Sequence, residues 1–204
     1  MELAWQGSLF EGDDARPRLS FDGLRREPLD DCSWIDVVPG WVGDHEVLFD
    51  ELREHAPWQQ RTRRMWDDDV LEPRLVAAWA TGAPLPPSLE ELRAVLSDRY
   101  AVVFDSCLVN CYRDGDDAVA WHADTVRRVL RNPLVATVSL GQRRRFLLRP
   151  ASGGPVAREY APGEGDLLVM GGSCQHDWHH TVPRERRVSG ARMSITLRHS
   201  RPVA

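Results

Sequence analysis

The chain has 204 residues and a formal charge of −5, with 42% hydrophobic and 28% charged residues, the balance of one globular domain rather than of a disordered or basic-coated chain. No run approaches the ~18 consecutive apolar residues of a membrane span. The start, Met1-Glu2-Leu3-Ala4-Trp5, lacks the basic-then-apolar pattern of a signal peptide, so a cytoplasmic protein without membrane contact is expected.

Residues 1–33 lack sustained periodicity and read as an extended, loosely packed lead-in. Ser33–Val38 reads as a strand stopped by Pro39-Gly40. A helix follows over Asp44–His55, with Val47, Leu48 and Leu52 near the helical period and Asp44 placed to cap it. Pro57–Trp66 mixes aromatic and basic residues without a core period and reads as a loop or hairpin that grips a partner. Pro84-Leu85-Pro86-Pro87 punctuates the chain, and a second helix is expected from Ser88 to about Arg99, opened by a capping box between Ser88 and Glu91. Short strands are then predicted over Ala101–Tyr112, Ala118–Trp121, Leu134–Leu140, Arg144–Leu148, Asp166–Met170, His179–Val182 and Arg192–His199. Turn signals such as Asp114-Gly115-Asp116 and Gly163-Glu164-Gly165 separate them. The pattern predicts an α+β protein: a double-stranded β-helix (jelly roll) core over 101–204, preceded by N-terminal helices in the segment 34–100, all in one compact domain.

The four cysteines, Cys32, Cys107, Cys111 and Cys174, form no Cys-x-x-Cys pair, so neither a zinc ribbon nor a redox dithiol is indicated. Cys107 and Cys111 fall on one strand face and read as small buried residues. All 26 positive side chains are arginine. They cluster at Arg61/Arg63/Arg64, Arg127/Arg128/Arg131, Arg143/Arg144/Arg145 and Arg184/Arg186/Arg187, a distribution that reads as a phosphate-binding groove on an acidic chain.

Chemistry concentrates in Trp121-His122-Ala123-Asp124. Strand side chains alternate, so His122 and Asp124 project together, and a second imidazole completes a two-histidine, one-carboxylate face for a metal ion, with positions left open for substrate and oxygen. Three later histidines can supply it: His176, His179 and His180. Arg192 and Arg198 share a face of the last strand, and their forked donors suit the carboxylates of an organic acid. Metal ligands beside an anion clamp point to a 2-oxoglutarate-dependent iron oxygenase.

Asn110-Cys111-Tyr112, then His122, Asp124, Gly-Asp-Leu-Leu-Val-Met-Gly-Gly at 165–172, His180 and Arg192-x-Ser194-x-Thr196-x-Arg198 together resemble the AlkB family of oxidative nucleic-acid demethylases. The resemblance covers roughly residues 57–199. Pro57-Trp58-Gln59-Gln60-Arg61-Thr62 and Pro73-Arg74-Leu75 are most similar to its alkylation-repair homologues.

The resemblance implies Fe(II) on His122, Asp124 and His180, with His180 selected because Thr181-Val182-Pro183 follows it. It implies that 2-oxoglutarate is held by Asn110, Tyr112, Arg192, Ser194 and Arg198, and that O2 is consumed. It implies an alkylated DNA or RNA substrate, single-stranded or with a flipped base, and makes 34–100 a helical support with a nucleotide-recognition segment. Trp58, Arg61, Arg63, Arg64, Trp66, Thr125 and Val126 are then the substrate-facing candidates, and a monomer is expected.

Two residues depart from the family pattern. Ser194 stands where Asn is common between the arginines. Val126 stands two positions after Asp124, where repair members carry an acidic residue facing the damaged base. Either Asp67, Asp68 or Asp69 supplies that charge, or the substrate is a neutral or bulkier alkylated base. Two rival readings follow from the same residues: a same-fold 2-oxoglutarate hydroxylase of a protein or small molecule, and a nucleic-acid-binding module with a silent metal site.

Overall fold

The computed structural model describes residues 17–65, 68–79, 83–126 and 129–199, without the side chains of 63–65 and 68–70. In chain order the elements are β1 (Arg25–Pro28), β2 (Ser33–Val38), α1 (His45–His55), β3 (Thr62–Met65), β4 (Asp68–Leu71), β5 (Leu75–Trp79), α2 (Pro87–Tyr100) and β6 (Ser106–Tyr112). They continue with β7 (Val119–His122), β8 (Val135–Gly141), β9 (Phe146–Pro150), β10 (Arg158–Tyr160), β11 (Asp166–Gly172), α3 (Cys174–Asp177), β12 (Trp178–Val182) and β13 (Arg192–Arg198). None of the described helices is long and apolar enough to cross a membrane.

The strands form a seven-stranded sheet in the order β1-β2-β11-β8-β13-β6-β5, a four-stranded sheet in the order β10-β9-β12-β7, and a separate β3-β4 hairpin. Every pairing between named strands is antiparallel. Period-two alternation divides the large sheet between two cores. On β13, Met193, Ile195 and Leu197 pack with Leu48 and Leu52 of α1 and with Leu89, Leu92 and Leu96 of α2. The other face meets the small sheet, where Ile35, Val135, Leu168 and Met170 pack on Phe146, Leu148, Trp178 and Val182. Arg192, Ser194, Thr196 and Arg198, the alternate residues of β13, therefore share the face turned toward the small sheet.

Helix starts differ from expectation. Asp44 occupies the first cap position but makes no side-chain cap; its carboxylate takes two hydrogen bonds from Arg18 at 3.1 and 3.0 Å instead. The capping box at Ser88 does not form, because α2 begins at Pro87, whose missing N–H costs nothing there, and the Ser88 hydroxyl donates to Glu51 of α1 at 2.7 Å. Ala101, expected to open a strand, ends α2 in the left-handed region at φ 53, so β6 starts only at Ser106.

Other differences lie in strand pairing. Within the expected lead-in, Arg25–Pro28 is extended but not loose, since it pairs with β2 as the sheet edge. The hairpin of the 57–66 region lies over 62–71. β5 and β10 had not been predicted; β5 adds an edge to the large sheet through β6, so 34–100 contributes strands to the core as well as helices.

Candidate active site

A cavity of about 320 Å³ opens between the sheets, walled by β5, β6, β13 and β8 on one side and by β7, β9 and β12 on the other. His122 and His180 are direct cross-strand partners, with ring centroids 4.3 Å apart. Phe146 stacks on His180 at 5.1 Å. The Nδ1 of His122 lies 2.8 Å from the Ala120 carbonyl oxygen; with that nitrogen as donor, Nε2 keeps its lone pair. Burial, opposed by Asp124, pushes the His180 imidazole down to about 3, so it is neutral and able to ligate.

Asp124 does not sit on the strand as expected. β7 ends at His122, and two contacts from distant segments hold the carboxylate-bearing residue. The buried Gln175 side chain of α3 accepts the Asp124 backbone N–H at 2.8 Å. Arg198 brings Nε to 2.7 Å and Nη2 to 2.6 Å of Asp124 Oδ1. Asp124 Oδ2 faces His180 Nε2 at 3.5 Å. Burial opposes the charge on Asp124, but Arg198 and the two histidines outweigh it and hold the carboxyl below the usual range. No three His, Cys, Asp or Glu side chains among the described residues are already drawn tightly enough to hold an ion. The donor set itself, two imidazoles and a carboxylate on one wall, is that of a facial iron site with open positions.

Arg192 supplies a second test of fit. Its guanidinium is fully buried and is pushed down to about 10 by that burial. Nη2 donates to Ser139 Oγ at 2.7 Å, while Nε and Nη1 have no hydrogen-bond partner. A buried cation with two idle forked donors is a receptor for a carboxylate. The guanidinium lies 5.5 Å from the Tyr112 ring, and Tyr112, Asn110 and Ser194 line the cavity. Asn110 Oδ1 is oriented by Arg74 Nε at 2.9 Å.

The substrate candidates separate. Arg61 and Thr125 are exposed and line the cavity. Trp58 does not offer its ring: it packs on the helix-side core and donates from Nε1 to the Leu52 and Arg53 carbonyls at the end of α1. Val126 packs against the core between the sheets rather than facing a ligand. Trp66, Asp67 and the side chains of Arg63, Arg64, Asp68 and Asp69 lie outside the described residues, as do Arg127 and Arg128. His176, a sequence alternative for the distal ligand, is on α3 with Nε2 2.8 Å from the Leu130 carbonyl oxygen.

One arginine cluster is structural. Arg143 pairs with Glu164 and Asp166, and Arg145 with Glu159. Arg144 is buried and donates to the Asp114, Asp117 and Pro183 carbonyls and to Glu185. That part of the expected phosphate groove is withdrawn. Arg131, Arg184, Arg186 and Arg187 are exposed.

Sequence reading missed Gln175 and Ser139. A polar residue inside an apolar strand was the available signal for Ser139; Gln175 had none, since its partner is 51 positions away.

The family model described as the 2OG-Fe(II) oxygenase superfamily matches residues 45–198. The chain belongs to this superfamily. It is 32% identical to the human protein named alpha-ketoglutarate-dependent dioxygenase alkB homolog 3, across 81% of this chain and 66% of that protein. It is 30% identical to the Arabidopsis thaliana protein named DNA oxidative demethylase ALKBH2, across 74% of this chain and 61% of that one. The chain thus spans just under two thirds of the length of these relatives. The solved structure of OsALKBH1 superposes with a TM-score of 0.61 at 13% identity, over 86% of this chain and 100% of that one, a likeness of fold.

Proposed function

We propose that this chain is an Fe(II)/2-oxoglutarate-dependent dioxygenase that oxidatively removes alkyl groups from nucleic-acid bases, on a double-stranded β-helix core. The observation that carries the reading is the buried Arg192, with two unpartnered donors, on the sheet facing His122, Asp124 and His180. An organic diacid beside a metal accounts for both features at once. The superfamily match supports the same cofactors, and the names of the human and Arabidopsis relatives support the substrate.

In this reading His122, Asp124 and His180 hold Fe(II). Arg192, with Asn110 and Tyr112, neutralises the distal carboxylate of 2-oxoglutarate, and Arg198 steadies the end nearer the metal. Ser194 keeps a hydrogen-bonding group on the same strand face with a shorter reach than asparagine. Bound iron, 2-oxoglutarate and O2 supply an oxidant for the C–H bonds of an N-alkyl carbon. The chain's own part is positional. His180 stays neutral, Arg198 and Gln175 fix Asp124, and Val76, Leu108 and Phe146 give the cavity apolar surface beside the metal-site residues. Hydroxylation at that carbon lets it leave as an aldehyde and restores the base. A stacked base cannot reach between the sheets, so the substrate nucleotide is single-stranded or flipped, with Arg61 and the β3-β4 hairpin as the recognition element.

The test is anaerobic addition of Fe(II) and 2-oxoglutarate, then air and an alkylated single-stranded oligonucleotide, with succinate and aldehyde measured together. Charge-transfer absorption followed by equal yields of both is expected. Absence of the absorption and of succinate would favour a binding module, and succinate without aldehyde on any oligonucleotide would move the reading to another substrate.

A further inference from the structure

Resting on the nucleic-acid reading above, we infer that the cavity selects alkylated bases that carry no positive charge, with Thr125 as the specificity-determining position. Arg61, Arg74 and Arg198 contribute to the lining, whereas Asp124 is the sole carboxylate lining it among the described residues. Asp124 is engaged on both sides, by Arg198 at 2.6 Å and by His180 at 3.5 Å. Arg74 has its own counter-charge in Glu72 at 3.0 Å. Arg61 is exposed and makes no ion pair with a described residue. Among the described residues, a cationic base entering this space meets the guanidinium of Arg61 and no carboxylate outside an ion pair.

The side chain next to Asp124 decides what replaces that carboxylate. Thr125 lines the cavity with a neutral side chain, while Val126, partly buried, packs against the core between the sheets and does not line the cavity. The determinant therefore lies at Thr125, not at Val126 where the sequence pattern put it. The remaining walls mix apolar side chains such as Val76, Leu108, Val119 and Phe146 with uncharged polar ones such as Asn110, Tyr112 and Thr196, and they supply no counter-charge to a cationic base. Alkylation at N3 of thymine or N1 of guanine leaves a neutral ring whose carbonyl oxygens accept from guanidinium donors. Alkylation at N3 of cytosine or N1 of adenine leaves a cation at neutral pH, which the guanidinium of Arg61 repels.

The test compares four single-stranded oligonucleotides, identical except for one 3-methylthymine, 1-methylguanine, 3-methylcytosine or 1-methyladenine, and an unmodified control. Binding to the metal-free protein is read by anisotropy, and base repair is read separately with Fe(II), 2-oxoglutarate and air. The wild type is expected to bind and repair the two neutral adducts about tenfold better or more, and Thr125→Asp to narrow or reverse that ratio. Equal or better binding and repair of the cationic adducts by the wild type would overturn the inference while leaving nucleic-acid repair standing. Repair of none of the four, with no binding preference over the unmodified control, would sink the nucleic-acid reading and the inference with it.

Discussion

Arg192→Met separates folding from function more cleanly than any other substitution here. The side chain is fully buried, and two of its donors have no partner. Each idle buried donor costs about 1–3 kcal/mol, so removing both relieves about 2–6 kcal/mol. The change forfeits one charge-assisted hydrogen bond to Ser139, worth about 1.5–3 kcal/mol, and the aromatic contact to Tyr112, worth about 1 kcal/mol. Methionine keeps most of the aliphatic stem, so little packing is lost. These terms nearly cancel, leaving a net between about −2 and +3.5 kcal/mol, so the metal-free variant should fold and melt within roughly 10 °C of wild type for a chain of this size. The assay is a thermal melt with and without 2-oxoglutarate. Wild type should gain about 2.7 kcal/mol at a hundredfold excess over Kd, and the variant nothing. A variant that folds and keeps the 2-oxoglutarate shift would refute the assignment of those donors to a carboxylate.

Three further outcomes follow from the same geometry. Gln175→Leu removes the acceptor for the Asp124 N–H and should weaken Fe(II) binding about 10–100-fold with the fold kept, while Gln175→Glu, which retains the acceptor, restores most of it; unchanged iron affinity in the leucine variant would show that Asp124 needs no such anchor. His180 is held at about 3 in the fold against 6.5 when free, so the unfolded chain binds the extra proton between those values. Metal-free stability contributed by His180 should thus be complete above about 6.5 and fall as pH drops toward 3, a slope that urea melts of wild type and His180→Gln would compare. Arg144→Met strands the Glu185 charge and three carbonyls and should cost about 3 kcal/mol or more in denaturant melts, whereas Arg143→Ala and Arg145→Ala, at exposed pairs, should each change stability by about 1 kcal/mol or less.

Much of the strand pattern after Ser106 was readable because alternation is local: β8, β11 and β13 differ from their expected spans by only a residue or two at the ends. The strands that escaped detection, β1, β5 and β10, are edge strands of four, five and three residues, too short for alternation to show. Helix starts were misread for a different reason. Asp44 and Ser88 are good caps in isolation, but Arg18 and Glu51 compete for them only once the chain has folded.

Residue types and spacing by themselves determined that two imidazoles, a carboxylate and a pair of arginines on one strand face were available, since side-chain chemistry and period-two alternation belong to the local chain. Tertiary structure alone decided how they meet. Pairing of β12 with β7 set His180 opposite His122 and left His176 on a separate turn. α3 and β13, far along the chain, position Asp124 past the end of its strand. Val126 was set against the core and Thr125 at the cavity, and one arginine cluster was spent on the protein's own carboxylates and carbonyls. Those outcomes depend on which distant donor or acceptor reaches a group first, and no local pattern records that competition.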